Sequence, residues 1–259
     1  MTPFYRQRLR IYALETKYEW LKQTRLRAYV VFTLGFPVMF YTLFGTMFGR
    51  GPSPAGGPFG VYYLATYGAF SVLSAALFGF GVGVATERGQ GWLVLKRATP
   101  MPVEAYFLAK VIVSLASGAI IVVVLTACGL LFVGVRMSPV VWVRLAVTLV
   151  AGGVPFCALG LAIGYWAGPN SAAGLVNLIN MPMAIVSGLW IPFNFLPAGL
   201  RRIAPWLPSY HYGQLALATL GADRGESVLG HVLVLTGFAG LFLMLAYVGY
   251  RRDEDKTYG

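Results

Sequence analysis

Thr86-Glu87-Arg88-Gly89-Gln90-Gly91-Trp92-Leu93-Val94-Leu95-Lys96-Arg97-Ala98-Thr99-Pro100-Met101-Pro102 is a polar island between two long apolar runs, residues 61–85 and 105–135. Its ionic side chains, Glu87, Arg88, Lys96 and Arg97, exclude it from hydrocarbon, so it marks a membrane surface joining two buried helices. Glu87 near its start, Lys96 and Arg97 near its end and Pro100 beyond them predict a short helix whose charge order suits the macrodipole. Trp92 and Leu95, three apart, share one face of that helix. The plainest reading is a basic loop held at the membrane by its charge. The rest of the chain decides whether it is more.

Apolar segments at about 28–48, 61–85, 105–135, 140–165, 171–191 and 228–250 each approach or exceed the roughly 20 residues that cross a hydrocarbon core. Of the 259 residues, 58% are hydrophobic and only 11% charged, against about 25% charged in a soluble domain. The fold expected is an all-α polytopic membrane protein with six spans over residues 28–259. Ahead of them, Ile11, Leu14, Tyr18 and Leu21 recur at helical spacing among basic residues, with Glu19 and Lys22 placed to pair. Residues 1–27 therefore read as an amphipathic helix lying on the membrane surface, and their basic stretch is too long for a cleavable signal peptide. The net charge of +11 sits beside apolar segments, which favours anionic lipid over nucleic acid. Six spans put both termini on one side with the island. That side carries thirteen Lys and Arg against five in the opposite loops, so both termini and the island are expected to be cytoplasmic, in a bacterial inner membrane.

Within the spans, Pro37 predicts a kink, and Gly79/Gly83 and Gly160/Gly164 read as small-xxx-small packing pairs. Arg144, one turn inside the fourth span, is placed to snorkel, with a role in gating as the alternative. The fifth span is the most polar, with Asn177, Asn180, Pro182 and Ser187. Residues 192–221, rich in Pro and aromatics, read as two short interfacial helices on the outer side.

Several chemistries are excluded. No Walker A sequence is present, so ATP is not bound by that device. His211 and His231 lack metal-pair spacing and cysteine companions. Cys128 and Cys157 fall in apolar runs and act as small hydrophobes. All nine carboxylates lie outside the expected spans, which removes the usual ingredients of an ion-coupled pump. Energy for transport then comes from a soluble partner, and the island is the element shaped to receive one.

Three features together carry a family resemblance. They are the basic helix before the first span, the run from Glu87 to Pro100, and Ser187-Gly188-Leu189-Trp190-Ile191-Pro192 followed by Leu196-Pro197, Ile203-Ala204-Pro205-Trp206-Leu207-Pro208 and Tyr210. Over nearly its whole length the chain resembles the membrane subunit, or permease, of an ABC-2 type ATP-binding-cassette exporter, with the drug and natural-product branch favoured. Trp92 departs from the small residue usual at that position of the loop. The resemblance implies two permease subunits, identical or not, and two ATPase subunits that bind ATP and Mg; this chain binds no cofactor and has no ATPase site. The island becomes the coupling helix, with Glu87, Arg88, Gly91, Trp92, Leu93, Lys96, Arg97, Thr99 and Pro100 as docking residues. Leu93 and Trp92 are the expected apolar anchor and the charged residues its polar rim. Phe40, Phe70, Asn177, Asn180, Met183, Ser187 and Trp190 are the candidate path for an amphipathic substrate, a drug, antibiotic or lipid-like molecule. The competing readings are an ATP-independent secondary transporter or channel, and an integral membrane enzyme or assembly factor.

Overall fold

The computed structural model describes residues 3–25, 31–53, 56–99 and 101–258, and no strand occurs among them. Helix α1 (Pro3–Arg25) precedes α2 (Phe36–Phe48), which is entered through a π-helical turn, Val31–Gly35. Four helices are long and apolar enough to cross a membrane: α3 (Phe59–Gly89), α5 (Val103–Val133), α6 (Pro139–Trp166) and the segment Val228–Asp253 of α10 (Val228–Tyr258). Between α3 and α5 stands the six-residue α4 (Trp92–Arg97). Helix α7 (Ala172–Val186) has 15 residues and α2 has 13, so these two are shorter than the spans expected at their positions. The start of the expected first span, residues 28–30, lies outside the described residues. Helices α8 (Ala198–Ile203) and α9 (Pro208–Ala218) complete the chain order.

Helix α3 is the axis of the bundle. Its residues between Gly60 and Leu77 are nearly all buried, as a helix with small and aromatic side chains on every face must be. α2, α5, α6 and α9 pack around it, while α10 lies outside, against α6 and α9. The contact of α3 with α6 depends on the absence of side chains. A Cβ on Gly160 would sit 2.8 Å from Phe80 Cβ, and one on Gly164 would sit 2.8 Å from Val84 Cβ. The predicted Gly160/Gly164 pair is thus a close helix crossing. The reading of Gly83 as a packing glycine is corrected: nothing approaches a Cβ there nearer than Lys110 Nζ at 3.8 Å. The tight position is Gly81, where a Cβ would meet Val176 Cγ2 of α7 at 2.8 Å.

Two other expectations change. Residues 192–221 do form two short helices, but only α8 is exposed. In α9, Tyr210 and Tyr212 have no exposed surface, and the Tyr212 hydroxyl donates to the Leu149 carbonyl of α6. The Tyr212 ring occupies the space a Cβ on Gly152 would need, at the point where α6 yields, Gly152–Gly153. The last helix continues to Tyr258 rather than stopping at Tyr250. Arg144 is exposed on α6, in keeping with a snorkelling side chain.

Because overpacking a close crossing costs about 1–3 kcal/mol, Gly160→Leu and Gly164→Leu are expected to lower the thermal unfolding midpoint in detergent. Gly83→Ala should leave it unchanged or raise it.

Candidate functional site

The island divides where the sequence reading joined it. Glu87 and Arg88 form the last turn of α3, which runs without interruption to Gly89. Gly91, at φ +75°, occupies the left-handed region that a side chain disfavours, and α4 starts after it. The expected pairing of Glu87 with the N-terminus of a single island helix is therefore corrected, because Glu87 stands at the C-terminal end of a different helix. Gly89 lets the corner close on Pro169, where a Cβ would approach the ring to 2.6 Å. The Thr99 hydroxyl donates to the Lys96 carbonyl at 2.7 Å and finishes α4. Pro100 and the Arg97 side chain lie outside the described residues.

Glu87 is only 5% exposed. One carboxylate oxygen accepts from Lys110 of α5 at 2.9 Å and from Lys22 of α1; the other accepts from the Tyr106 hydroxyl at 2.6 Å. Glu19 of α1 closes the ring, accepting from Lys110 and Lys22, each at 2.7 Å. Beside it Glu15 pairs with Lys96 of α4, and the Tyr106 ring lies under both Lys96 and Lys110, at 4.5 and 5.0 Å. Three carboxylates and three ammonium groups thus cancel. Burial works against the Lys22 charge, but Glu87 and Glu19 outweigh it and hold its pKa above the usual lysine value.

Arg88 faces another way. Its guanidinium donates to the carbonyls of Tyr165 and of Ala167, the latter at 2.7 Å, and its Nε lies 3.6 Å from Asp253 of α10. It thereby caps the C-terminal end of α6, where backbone carbonyls lack helical partners and a cation suits the dipole. Two consecutive residues of α3 consequently bind α1 and α5 on one side and α6 and α10 on the other.

This arrangement redistributes the expected docking residues. Leu93, expected as an anchor, is 7% exposed and turned inward; the apolar side chains left at the surface are Trp92, Val94 and Leu95, at 50%, 49% and 69%. Trp92 also lines a cleft of about 650 Å³ between α1 and α4, together with Tyr18, Lys22, Arg25 and Lys96. In α1, Tyr18 and Leu14 face outward while Glu15, Glu19 and Gln23 face the bundle. The expected Glu19–Lys22 pair is present at 2.7 Å; sequence reasoning missed Glu15, Tyr106, Lys110 and Asp253. The signals available were the two acids four apart in a basic helix, and Lys110 alone within a long apolar run.

The candidate path residues fall into three places. Phe40, Phe70 and Trp190 converge, with Trp190 5.8 Å from Phe40 and 5.2 Å from Phe70 between ring centroids. Tyr67 joins them at 6.0 Å from Trp190, and its hydroxyl and Trp190 Nε1 are buried with no hydrogen-bond partner. Asn180 is buried and donates to Ser74 of α3 at 2.9 Å, while Ser187 pairs with Ser209 of α9, beside the Met183 carbonyl. Asn177 is exposed on α7, apart from these.

The profile of the family described as "ABC-2 type transporter" matches residues 12–220. The chain is 29% identical over 230 residues to a Bacillus subtilis (strain 168) protein named "Putative transport permease YvfS", covering 89% of this chain and 93% of that one.

Removing one partner from a buried ion pair costs about 3–5 kcal/mol. Glu87→Ala is therefore expected to destabilise the protein in detergent by an amount of that order. Glu87→Gln with Lys110→Met, which removes one charge of each sign, should cost much less, as read from unfolding midpoints.

Proposed function

Because the chain belongs to the ABC-2 type transporter family of membrane proteins, we propose that it is the transmembrane subunit of an ATP-driven exporter whose separate ATPase seats on residues 86–102. The observation that carries this reading is the contrast within the island. Glu87, Arg88 and Leu93 hold it to four helices, while Trp92, Val94 and Leu95 project unburied from its end. Exposed aromatic and aliphatic anchors on a rigid support are what a protein partner needs. The cleft beside Trp92 supplies concave surface, and Arg25, the cation of its lining outside the balanced ring of ion pairs, favours an acidic counterpart at its rim. ATP and Mg bind to the ATPase, and this subunit carries no ATPase site of its own.

In this reading the amphipathic substrate passes the Phe40, Phe70 and Trp190 cluster, where the unpartnered Tyr67 hydroxyl and Trp190 Nε1 offer hydrogen bonds among apolar rings. A second permease subunit completes the path, with Asn177 and Leu178 of α7 and Met39 and Leu43 of α2 as exposed surface for it. The island and both termini lie on the cytoplasmic side of the inner membrane.

Truncation of a central interface anchor typically costs 2 kcal/mol or more. Trp92→Ala with Leu95→Ala is thus expected to weaken ATPase association by more than about thirtyfold, read by co-purification from mild detergent with a tagged subunit. Glu15, Lys96 and the buried ring remain in place, so the subunit itself should stay folded. If wild-type protein retains no ATPase under these conditions, an ATP-independent carrier or channel becomes the better reading.

A further inference from the structure

At the end of the bundle away from the island, the only two histidines of the chain meet. His211 of α9 and His231 in the first turn of α10 place their Nδ1 atoms 2.8 Å apart. Both side chains are buried, His231 to 3% exposure. His211 Nε2 lies 2.9 Å from the Pro205 carbonyl oxygen, which only accepts, so that nitrogen carries a hydrogen. A contact of 2.8 Å between two ring nitrogens needs one hydrogen between them, because two lone pairs or two N–H groups repel. The fourth nitrogen, His231 Nε2, has no hydrogen-bond partner and stands 3.5 Å from a Glu226 carboxylate oxygen. Were both rings neutral, its lone pair would face that carboxylate. One additional proton converts the repulsion into an ion pair.

We propose that His211 and His231 form a binding site for a single shared proton, a clasp that joins α9 to the start of α10 while one ring is charged and parts when both are. Neither ring need be singled out as the charged one. If His231 holds the proton, its Nδ1–H donates to His211; if His211 holds it, the donation reverses. In both cases three of the four ring nitrogens carry hydrogen. Burial and the neighbouring His211 ring oppose a positive charge on His231, while Glu226 and Asp223 favour one. Glu226 and Asp223 are the carboxylates of the adjoining loop, and Arg224 is its cation, placed 4.0 Å from Glu226 Oε1, 3.2 Å from the Tyr210 hydroxyl and 4.3 Å over the Phe193 ring, so that Glu226 Oε2 is the oxygen left facing His231. Tyr210 itself donates to Glu226 at 2.8 Å and so fixes that carboxylate. Of the other charged groups on neighbouring helices, Arg201 and Arg202 of α8 and Arg144 of α6 are exposed. A second proton would place two cations 2.8 Å apart in a buried site. Because α9 also packs on α3 and carries the Tyr212 bond to α6, parting the clasp frees the non-island end of α10 from the bundle axis.

The two-histidine composition makes the test direct. The full chain, carrying an affinity tag free of histidine, is labelled with ¹⁵N-histidine, placed in lipid nanodiscs and examined by NMR across the imidazole range, roughly pH 5 to 8. At about pH 7 the expected spectrum has three protonated ring nitrogens and one bare nitrogen, with scalar coupling between the two Nδ1 atoms. At about pH 5 all four should be protonated and the coupling lost. Glu226→Gln keeps both rings but removes the carboxylate, and should give two protonated and two bare nitrogens at about pH 7. Two protonated and two bare nitrogens in the wild type at that pH would overturn the proposal. So would coupling that survives at the acid end, or a Glu226→Gln spectrum that matches the wild type.

Discussion

Everything at the island end of this protein depends on a buried carboxylate beside a buried guanidinium. Glu87 and Arg88 are neighbours on α3, and successive residues of a helix point about 100° apart. One therefore reaches α1 and α5 while the other reaches α6 and α10. Buried ion pairs lose in desolvation much of what they gain in attraction, so neither interaction is a large net source of stability. Their effect is geometric. An apolar bundle packs comparably in several rotations and registers, whereas a carboxylate with three donors and a guanidinium on two carbonyls has one satisfied arrangement. The end of α3 is thereby placed relative to four other helices, and α4 inherits that placement through the short corner Gly89-Gln90-Gly91.

The mechanical consequence concerns α3 itself. It is the most enclosed helix, close-packed on α6 through Gly160 and Gly164, and at its other end it enters the Phe40–Phe70–Trp190 cluster through Tyr67 and Phe70. A load applied at Trp92 and Leu95 passes through the Glu87 and Arg88 contacts into a helix that touches the proposed substrate path. The π-helical turn Phe78–Val82, lying between them, is where α3 departs from regular winding and where Gly81 meets α7.

How much of this was legible in the sequence follows from the range of each interaction. The all-helical membrane architecture and the existence of the island came from local polarity alone, because hydrocarbon sorts residues strongly. The Gly160/Gly164 crossing was readable for the same reason: small residues four apart define a face. Positions that depend on partners far along the chain were not readable. Glu87 looked like a surface residue because its cations, Lys22 and Lys110, lie on helices that only the fold brings to it. Leu93 looked like an anchor because nothing local says that it turns inward, onto a small cavity it lines with Tyr106, Tyr165 and Tyr250. The histidines, 20 residues apart on different helices, offered no spacing to read. Residues 208–218 appeared interfacial from their prolines and tyrosines, yet Tyr212 and Tyr210 are buried through hydrogen bonds to Leu149 and Glu226.

The central claim is that the buried Glu87 carboxylate binds α1 and the island into one unit. Hydrogen exchange of the full chain in nanodiscs, wild type against Glu87→Gln, tests it most directly. The account expects both α1 and residues 86–99 to be protected in the wild type. In the variant both should exchange faster together, by at least about tenfold, the equivalent of about 1.4 kcal/mol, while the His231 end of α10 is unchanged. Exchange in wild-type α1 at the rate of an unstructured peptide, or α1 protection that Glu87→Gln leaves intact, would contradict it.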